Sequence, residues 1–306
     1  MKILALALLL LITAGWWQGP PVQPGHQEKS SAGAPQGEFT TVKVDENVPY
    51  AEVNGTQLHA DIYESSQKAD HARPGVVLIH GGGWTDFDKS TMRGMGQFLA
   101  RSGFVAVSVD YRLFHDNQNR WPAQLDDAQR AVRWLRANAD KYGVDAAHIG
   151  AFGHSAGAQL AALLGMEETR DNSDAALAKY SSKVQAVVDV SGPTDFTSEH
   201  DPDGAAFLTS FFGVNYQKGA DVWKMASPAC QVSKQDAPFL IVHGAGDDQV
   251  PIAQAQELYE KLQGTGVPVE FVKVDDGHTF RSPEARRELA LKTLAFFEHY
   301  LDSPRE

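Results

Sequence analysis

Continuous apolar runs alternate with helical apolar stripes along most of this chain. Residues 76–80 and 105–109 are almost wholly apolar, the pattern of strands buried on both faces of a sheet. Residues 148–152, 184–190, 239–243 and 269–274 read as further strands, and residues 39–44 and 57–63 as two opening ones. The second of these alternates its faces, as an antiparallel edge strand would. Between the strands, Leu125, Ala128, Val132 and Leu135 form one helical stripe, with Pro122 at the first helical position. Residues 159–164 form another helix, stopped at Gly165. Ile252, Ala255, Leu258, Tyr259 and Leu262 form a third, ended by Gly264, and a last helix runs from Pro283 through Leu289, Leu294 and Phe297. Strand and helix in alternation predict one α/β domain over residues 39–303 with a mostly parallel sheet.

Two stretches break the alternation. Residues 195–234 mix charge and glycine with Phe207, Phe211, Phe212, Tyr216 and Trp223, too long for a simple connection. They predict a small helical cap inserted over the C-terminal edge of the sheet. Within it, Asp201-Pro202-Asp203-Gly204 has the look of a calcium loop but lacks the remaining ligands, and reads as a turn. At the N-terminus, Lys2 precedes an apolar run ending in Thr13-Ala14-Gly15, so residues 1–15 read as a secretory signal peptide cleaved near Ala14 or Gly15. An uncleaved anchor is the alternative, with Trp16-Trp17 at the membrane interface. Residues 16–38, rich in Pro, Gly, Gln and Ser, read as a disordered linker. The expectation is an exported protein, touching a membrane only if the leader is retained.

Composition narrows the chemistry. The 306 residues carry a net charge of −12 with no basic run, which argues against nucleic acid or anionic lipid as a partner. Cys230 is the only cysteine, so no internal disulfide forms, and it is expected to be a buried structural thiol. There is no His-Glu-x-x-His, no cysteine/histidine cluster and no phosphate-loop lysine, so neither metal nor cofactor is expected.

The positive signal is Gly153-His154-Ser155-Ala156-Gly157. Gly-x-Ser-x-Gly between a strand and a helix is a nucleophile elbow, whose strained turn lifts the serine hydroxyl into the open. The pentapeptide alone is common in a chain with 27 glycines, so the reading depends on partners. A serine needs a base, a carboxylate to orient it and donors for the oxyanion. Asp247 follows the strand at 239–243 and His278 follows the strand at 269–274, both at the edge where ligand-facing side chains gather. Asp195, beyond the strand at 184–190, is an alternative acid. His80-Gly81-Gly82-Gly83-Trp84 follows another strand, so the N–H groups of Gly82 and Gly83, with that of Ala156, are expected to form the oxyanion hole. His80, His154 and His243 are expected to brace loops, and Trp84 and Tyr111 to contact substrate.

Five ordered motifs carry a resemblance: the His80 to Trp84 loop, Asp110-Tyr111-Arg112-Leu113, Ala131-Val132-Arg133-Trp134-Leu135, the elbow, and His243-Gly-x-x-Asp-x-x-Val-Pro251. Over about residues 40–300 the chain resembles the esterase/lipase branch of the α/β-hydrolases, within it the bacterial feruloyl and acetyl xylan esterase-like group. Ala158 departs from the further glycine that many hormone-sensitive-lipase relatives have there. The resemblance implies an α/β-hydrolase fold with helices on both sheet faces, and a metal-free serine carboxylesterase. It implies acetylated or feruloylated carbohydrate, a small-molecule or oligosaccharide ester, as substrate. Short-chain acyl esters, including lipid-derived ones, and aryl formamides are the alternative substrates, and a non-catalytic binding protein of this fold is the alternative class.

Overall fold

The computed structural model describes residues 41–67, 69–198 and 202–302. The leader, the linker and the ends of the expected domain, residues 39–40 and 303, lie outside the described residues. Eight strands form one sheet in the order β1-β2-β4-β3-β5-β6-β7-β8. They are β1 (Val42–Val53), β2 (Thr56–Ser65), β3 (Arg73–Ile79), β4 (Val105–Val109), β5 (Val144–His154), β6 (Ala186–Val190), β7 (Phe239–Gly244) and β8 (Val269–Val274). β1 pairs with β2, and β2 with β4, antiparallel; every other pairing is parallel.

β2 is therefore antiparallel but not the edge, because β1 covers it. The hairpin turn between them is Asn54-Gly55, with φ of 51° and 80°. Two positive φ values at an Asn-Gly pair give the turn whose twist matches the flanking strands.

The helices are α1 (Arg93–Arg101), α2 (Ala123–Ala137), α3 (Ala139–Tyr142), α4 (Ala156–Met166), α5 (Pro202–Phe212), α6 (Tyr216–Ala226), α7 (Pro228–Gln231), α8 (Ile252–Thr265) and α9 (Pro283–Leu301). α2, α4 and α8 bury their apolar faces on one side of the sheet, through Leu125, Leu160 and Leu258 among others. α1 and α9 cover the other side through Leu99 and Phe297. Phe297 is fully buried, stands 6.2 Å from the Phe104 ring and lies against Gly150 of β5. Phe297→Ala is expected to cost about 3–5 kcal/mol in urea unfolding, since a close-packed core collapses only partly around so large a void.

Several local expectations are corrected. α4 passes through Gly165, which is not a stop but the point where the helix rests on Val187; an added Cβ would come within 2.4 Å of it. α8 ends two residues beyond expectation, where Gly266 takes the left-handed conformation with φ 82°. Pro122 caps α2 from outside rather than opening it. Pro202 to Gly204, read as a turn, open α5, and Asp201 lies outside the described residues. Cys230 is exposed, because short α7 buries Pro228 and Ala229 and turns the next residue outward.

α5, α6 and α7 fill most of the stretch expected to be an insert. Their rings form one aromatic cluster, with Phe211 5.2 Å from Phe212 and Phe212 4.9 Å from Trp223.

Candidate active site

β3 lies between β4 and β5, so the chain crosses from one side of β3 to the other on leaving β4. Such a reversal leaves a crevice at the C-terminal ends of the adjoining strands. The Gly-rich loop follows β3 and the elbow follows β5, so both open onto that crevice. Asp247 and His278 follow β7 and β8 at the same edge.

The elbow is strained and tightly packed. Ser155 holds φ 53° and ψ −122°, and its N–H donates to the Val190 carbonyl at 2.8 Å. A Cβ on Gly153 would fall 2.1 Å from the Gly157 oxygen, and one on Gly157 2.1 Å from the Ile79 oxygen. No backbone adjustment short of moving the strand away from the helix relieves those contacts. Gly157→Ala is accordingly expected to yield little folded protein, read by size exclusion and circular dichroism.

The three predicted polar groups meet. His278 Nε2 stands 2.9 Å from Ser155 Oγ, and His278 Nδ1 2.7 Å from Asp247 Oδ2. The carboxylate only accepts, so Nδ1 carries the proton and Nε2 presents its lone pair to the serine hydroxyl. Asp247 accepts three hydrogen bonds, Oδ1 from the N–H groups of Gln249 and Val250 and Oδ2 from His278, and His243 Nε2 makes a further close contact with Oδ2 at 3.2 Å. Burial by itself would raise this carboxyl, but the His243 contact and the bonds from His278 and Val250 outweigh it and hold Asp247 well below the usual carboxylate range.

The other candidates for the acid are engaged elsewhere. Asp195 turns its carboxylate onto its own chain, accepting from Thr197. Asp276 accepts from the N–H groups of Gly277 and Ser282, and Asp248 is exposed.

The Gly-rich loop runs directly against the elbow. A Cβ on Gly81 would lie 3.2 Å from Ser155 Cβ. Gly82 (φ 105°) and Gly83 (φ 58°) turn the chain through the left-handed region, and the Gly82 carbonyl accepts from Thr85 and Asp86. The N–H groups of Gly82, Gly83 and Ala156 have no acceptor among the described residues. Unspent amides beside a hydroxyl that an imidazole can deprotonate are what a tetrahedral oxyanion requires.

Tyr111 and Trp84, expected to touch substrate, are both buried against the Gly-rich loop and the insert. Tyr111 is only 3% exposed; its ring stacks on His80 at 4.2 Å and its hydroxyl donates to the His80 and Gly81 carbonyls. Trp84 is 5% exposed and stacks on Phe211 at 4.8 Å. Large rings close to the crevice find more apolar surface in the insert and the loop than in solvent.

His80 and His154 brace backbone as expected. His80 Nδ1–H donates to the Gly81 carbonyl at 2.7 Å, and burial pushes its pKa down to about 4. His154 Nε2–H donates to the His278 carbonyl at 2.9 Å, and burial, with the neighbouring His278, holds it well below the usual imidazole range. His243 also braces, donating to the Val250 carbonyl at 2.9 Å, but its second contact reaches Asp247.

Gln159 was not anticipated. Fully buried one turn beyond Ser155, it accepts from Trp84 Nε1 at 3.2 Å and donates to the Ala226 carbonyl at 2.8 Å. It thereby ties the Gly-rich loop, the elbow helix and the insert together. An amide in an otherwise apolar helix was the available signal, since a buried polar group must find partners.

Against this geometry, comparison with known proteins is informative. The BD-FAE family model matches residues 60–262, most of the described fold. The chain belongs to the BD-FAE family. The match spans the Gly-rich loop, the elbow and Asp247, and ends before β8, so His278 lies outside it. Esterase LipC of Mycobacterium tuberculosis is 32% identical over 210 residues, covering 66% of this chain and 51% of its own length. The chain spans about half the length of the curated relatives it matches. Among solved structures, a truncated carbohydrate esterase from gut microbiota superposes with a TM-score of 0.75 at 26% identity, over 87% of this chain and 99% of that one. The butyrate-bound esterase Est2 of Thermogutta terrifontis gives a TM-score of 0.73 at 25% identity, over 88% and 97% respectively. BD-FAE membership thus agrees with the α/β-hydrolase architecture of the sheet.

Proposed function

We propose that this protein is a serine carboxylesterase that removes acyl groups from carbohydrate. The observation that carries the reading is the run from Ser155 Oγ through His278 to Asp247 Oδ2, at 2.9 and 2.7 Å, beside unspent glycine amides. His278 takes the proton from Ser155 as the oxygen attacks the ester carbonyl. Asp247 keeps the imidazole in the tautomer that can accept it and balances the imidazolium that results. The amides of Gly82, Gly83 and Ala156 hold the oxyanion. When the tetrahedral centre collapses, His278 returns the proton to the departing alkoxide, leaving an acyl-serine. Water, deprotonated by the same imidazole, then releases the acid.

Likeness to a carbohydrate esterase and membership of the BD-FAE family support acetylated or feruloylated polysaccharide as the substrate. A signal peptide at residues 1–15 would place the enzyme where such polymers occur, and N-terminal sequencing of the mature protein tests it. The second reading, short-chain acyl esters in general, draws on likeness to Est2 structures bound to butyrate and propionate. Release of acetate and ferulate from acetylated, feruloylated xylan, run beside nitrophenyl esters of increasing chain length, separates the two. Release from xylan is the expected result. Turnover of short nitrophenyl esters with neither acid freed from xylan would move the assignment to the second reading.

A further inference from the structure

Behind the acid, the sheet carries polar groups that this chemistry leaves unused. Asp189 stands in β6 among apolar residues and is 1% exposed. It pairs with Ile241, and the Ser191 N–H donates to the Val242 carbonyl at 3.0 Å, which sets Ser191 beside His243. Alternate residues of a strand share a face, so Asp189 and His243 emerge on the side covered by α4. Asp189 Oδ1 accepts from the Gly192 N–H at 3.0 Å, and a Cβ on Gly192 would lie 2.6 Å from that oxygen and 2.8 Å from Ala158 Cβ. The carboxyl therefore sits under the first turn of the elbow helix.

Asp189 Oδ2, Ser191 Oγ and His243 Nδ1 are each buried without a hydrogen-bond partner among the described residues. Three such atoms at neighbouring register positions are complementary. A hydroxyl both donates and accepts, a neutral imidazole with Nε2–H leaves Nδ1 as an acceptor, and a carboxyl takes either role. None of the three hydrogen-bonds another directly, and buried polar groups so arranged are ordinarily joined by a shared water. Ser191 also holds φ 53°, a conformation that costs a non-glycine residue free energy.

We propose that Asp189 is a positioning residue for the ester hydrolysis, acting with Ser191 at His243 Nδ1 to hold that ring with its Nε2–H on the Val250 carbonyl and its edge against Asp247 Oδ2. The inference rests on the serine-esterase reading above. Asp247 Oδ2 lies 2.7 Å from the His278 ring and 3.2 Å from the His243 ring, so the ring behind it bears on where that oxygen stands relative to His278. No proton travels along the chain of contacts; only tautomer and orientation are fixed. The titratable groups facing His243 are Asp189 from β6, His154 from the end of β5, and Asp247 and His278 from the loops after β7 and β8.

Stability separates this role from a purely structural one. Burial pushes the Asp189 carboxyl up to about 6, with the Gly192 N–H and the His243 imidazole pulling only part of the way back. A carboxyl raised in the folded state supports folding most below its unfolded value of about 3.9 and progressively less as pH climbs through 6. At pH 8 an amide should thus suit the fold at least as well as the carboxylate.

Asp189→Asn is expected to retain or raise Tm at pH 8 while kcat for a nitrophenyl acetate falls about tenfold, the scale on which removing a partner behind a working group acts. KM should stay within about twofold, and the acid limb of the kcat profile should shift, because a group coupled to the acid has changed. Ser191→Ala should lower kcat in the same direction. Wild-type kcat with an unmoved acid limb in folded Asp189→Asn overturns the proposal. If that variant does not fold, the same result in Ser191→Ala overturns it. Ser155→Ala run alongside keeps the two readings apart: an active Ser155→Ala enzyme defeats the esterase assignment, whereas an inactive one beside an unaffected Asp189→Asn defeats only the inference drawn here.

Discussion

Ser155→Ala is expected to lower turnover of a short-chain nitrophenyl ester by about a million-fold, the scale on which removing a triad nucleophile acts. The size follows from the geometry. Of the groups around the crevice, Ser155 Oγ has an imidazole acceptor at 2.9 Å and lies against the unspent amides of the Gly-rich loop. Without it, a water in its place could still use His278 and the amides, leaving a residual rate from positioning and electrostatics. The fold should not change, because the strained backbone at Ser155 is held by the Val190 carbonyl and by close packing of Gly153 and Gly157. The measurement is burst and steady-state kinetics with labelling by a fluorophosphonate. Activity within tenfold of wild type, or labelling of the alanine variant, would exclude Ser155 as nucleophile.

Asp247→Asn carries the second largest expected effect, a fall in kcat of about ten-thousand-fold. The amide can offer its N–H₂ where His278 Nδ1 now donates, and the imidazole then settles in the tautomer that cannot accept the serine proton. Asp247 is held well below the usual carboxylate range, so it stays ionised through the range in which activity is measured, and its own protonation should not appear in the acid limb of the rate profile. Stability should respond with a definite sign. A carboxylate depressed in the folded state stabilises above its unfolded value of about 3.9, and that contribution fades as pH falls toward the folded value. Wild type should therefore exceed Asp247→Asn in Tm at pH 7, and the gap should close on acidification. A gap that widened as the pH fell would show that the bonds to Asp247 do not favour its charged form.

Much of this site was legible because its signals are local. The elbow is a backbone device: glycines at 153 and 157 are demanded by contacts of 2.1 Å that any Cβ would make, so the pattern can be read directly from residue identity. The Gly-rich loop is legible for the same reason. Asp247 and His278 were found by position, since each follows an apolar run that becomes a parallel strand. Gln159, Asp189 and the second contact of His243 were not found. Each is a polar residue inside an apolar segment, and the segment's period reports burial without naming the partner. The packing of Tyr111 and Trp84 was not legible for a related reason. An aromatic next to a functional loop looks the same in sequence whether it faces substrate or holds the loop from behind.

The division between sequence and tertiary structure follows range of interaction. Alternating apolar runs and stripes, set by burial and the two backbone periods, determined an α/β chain with a mostly parallel sheet, and glycine spacing determined the sharp turns of the elbow and the Gly-rich loop. Contacts between segments far apart in the chain decided the rest. Strand order put β3 beside β5 and so brought loop and elbow to one crevice, β1 displaced β2 from the edge, and the insert folded its rings onto Trp84. That His278 meets Asp247 while Asp195 turns onto its own chain is likewise visible only in the tertiary structure, because those partners come from segments far apart in sequence.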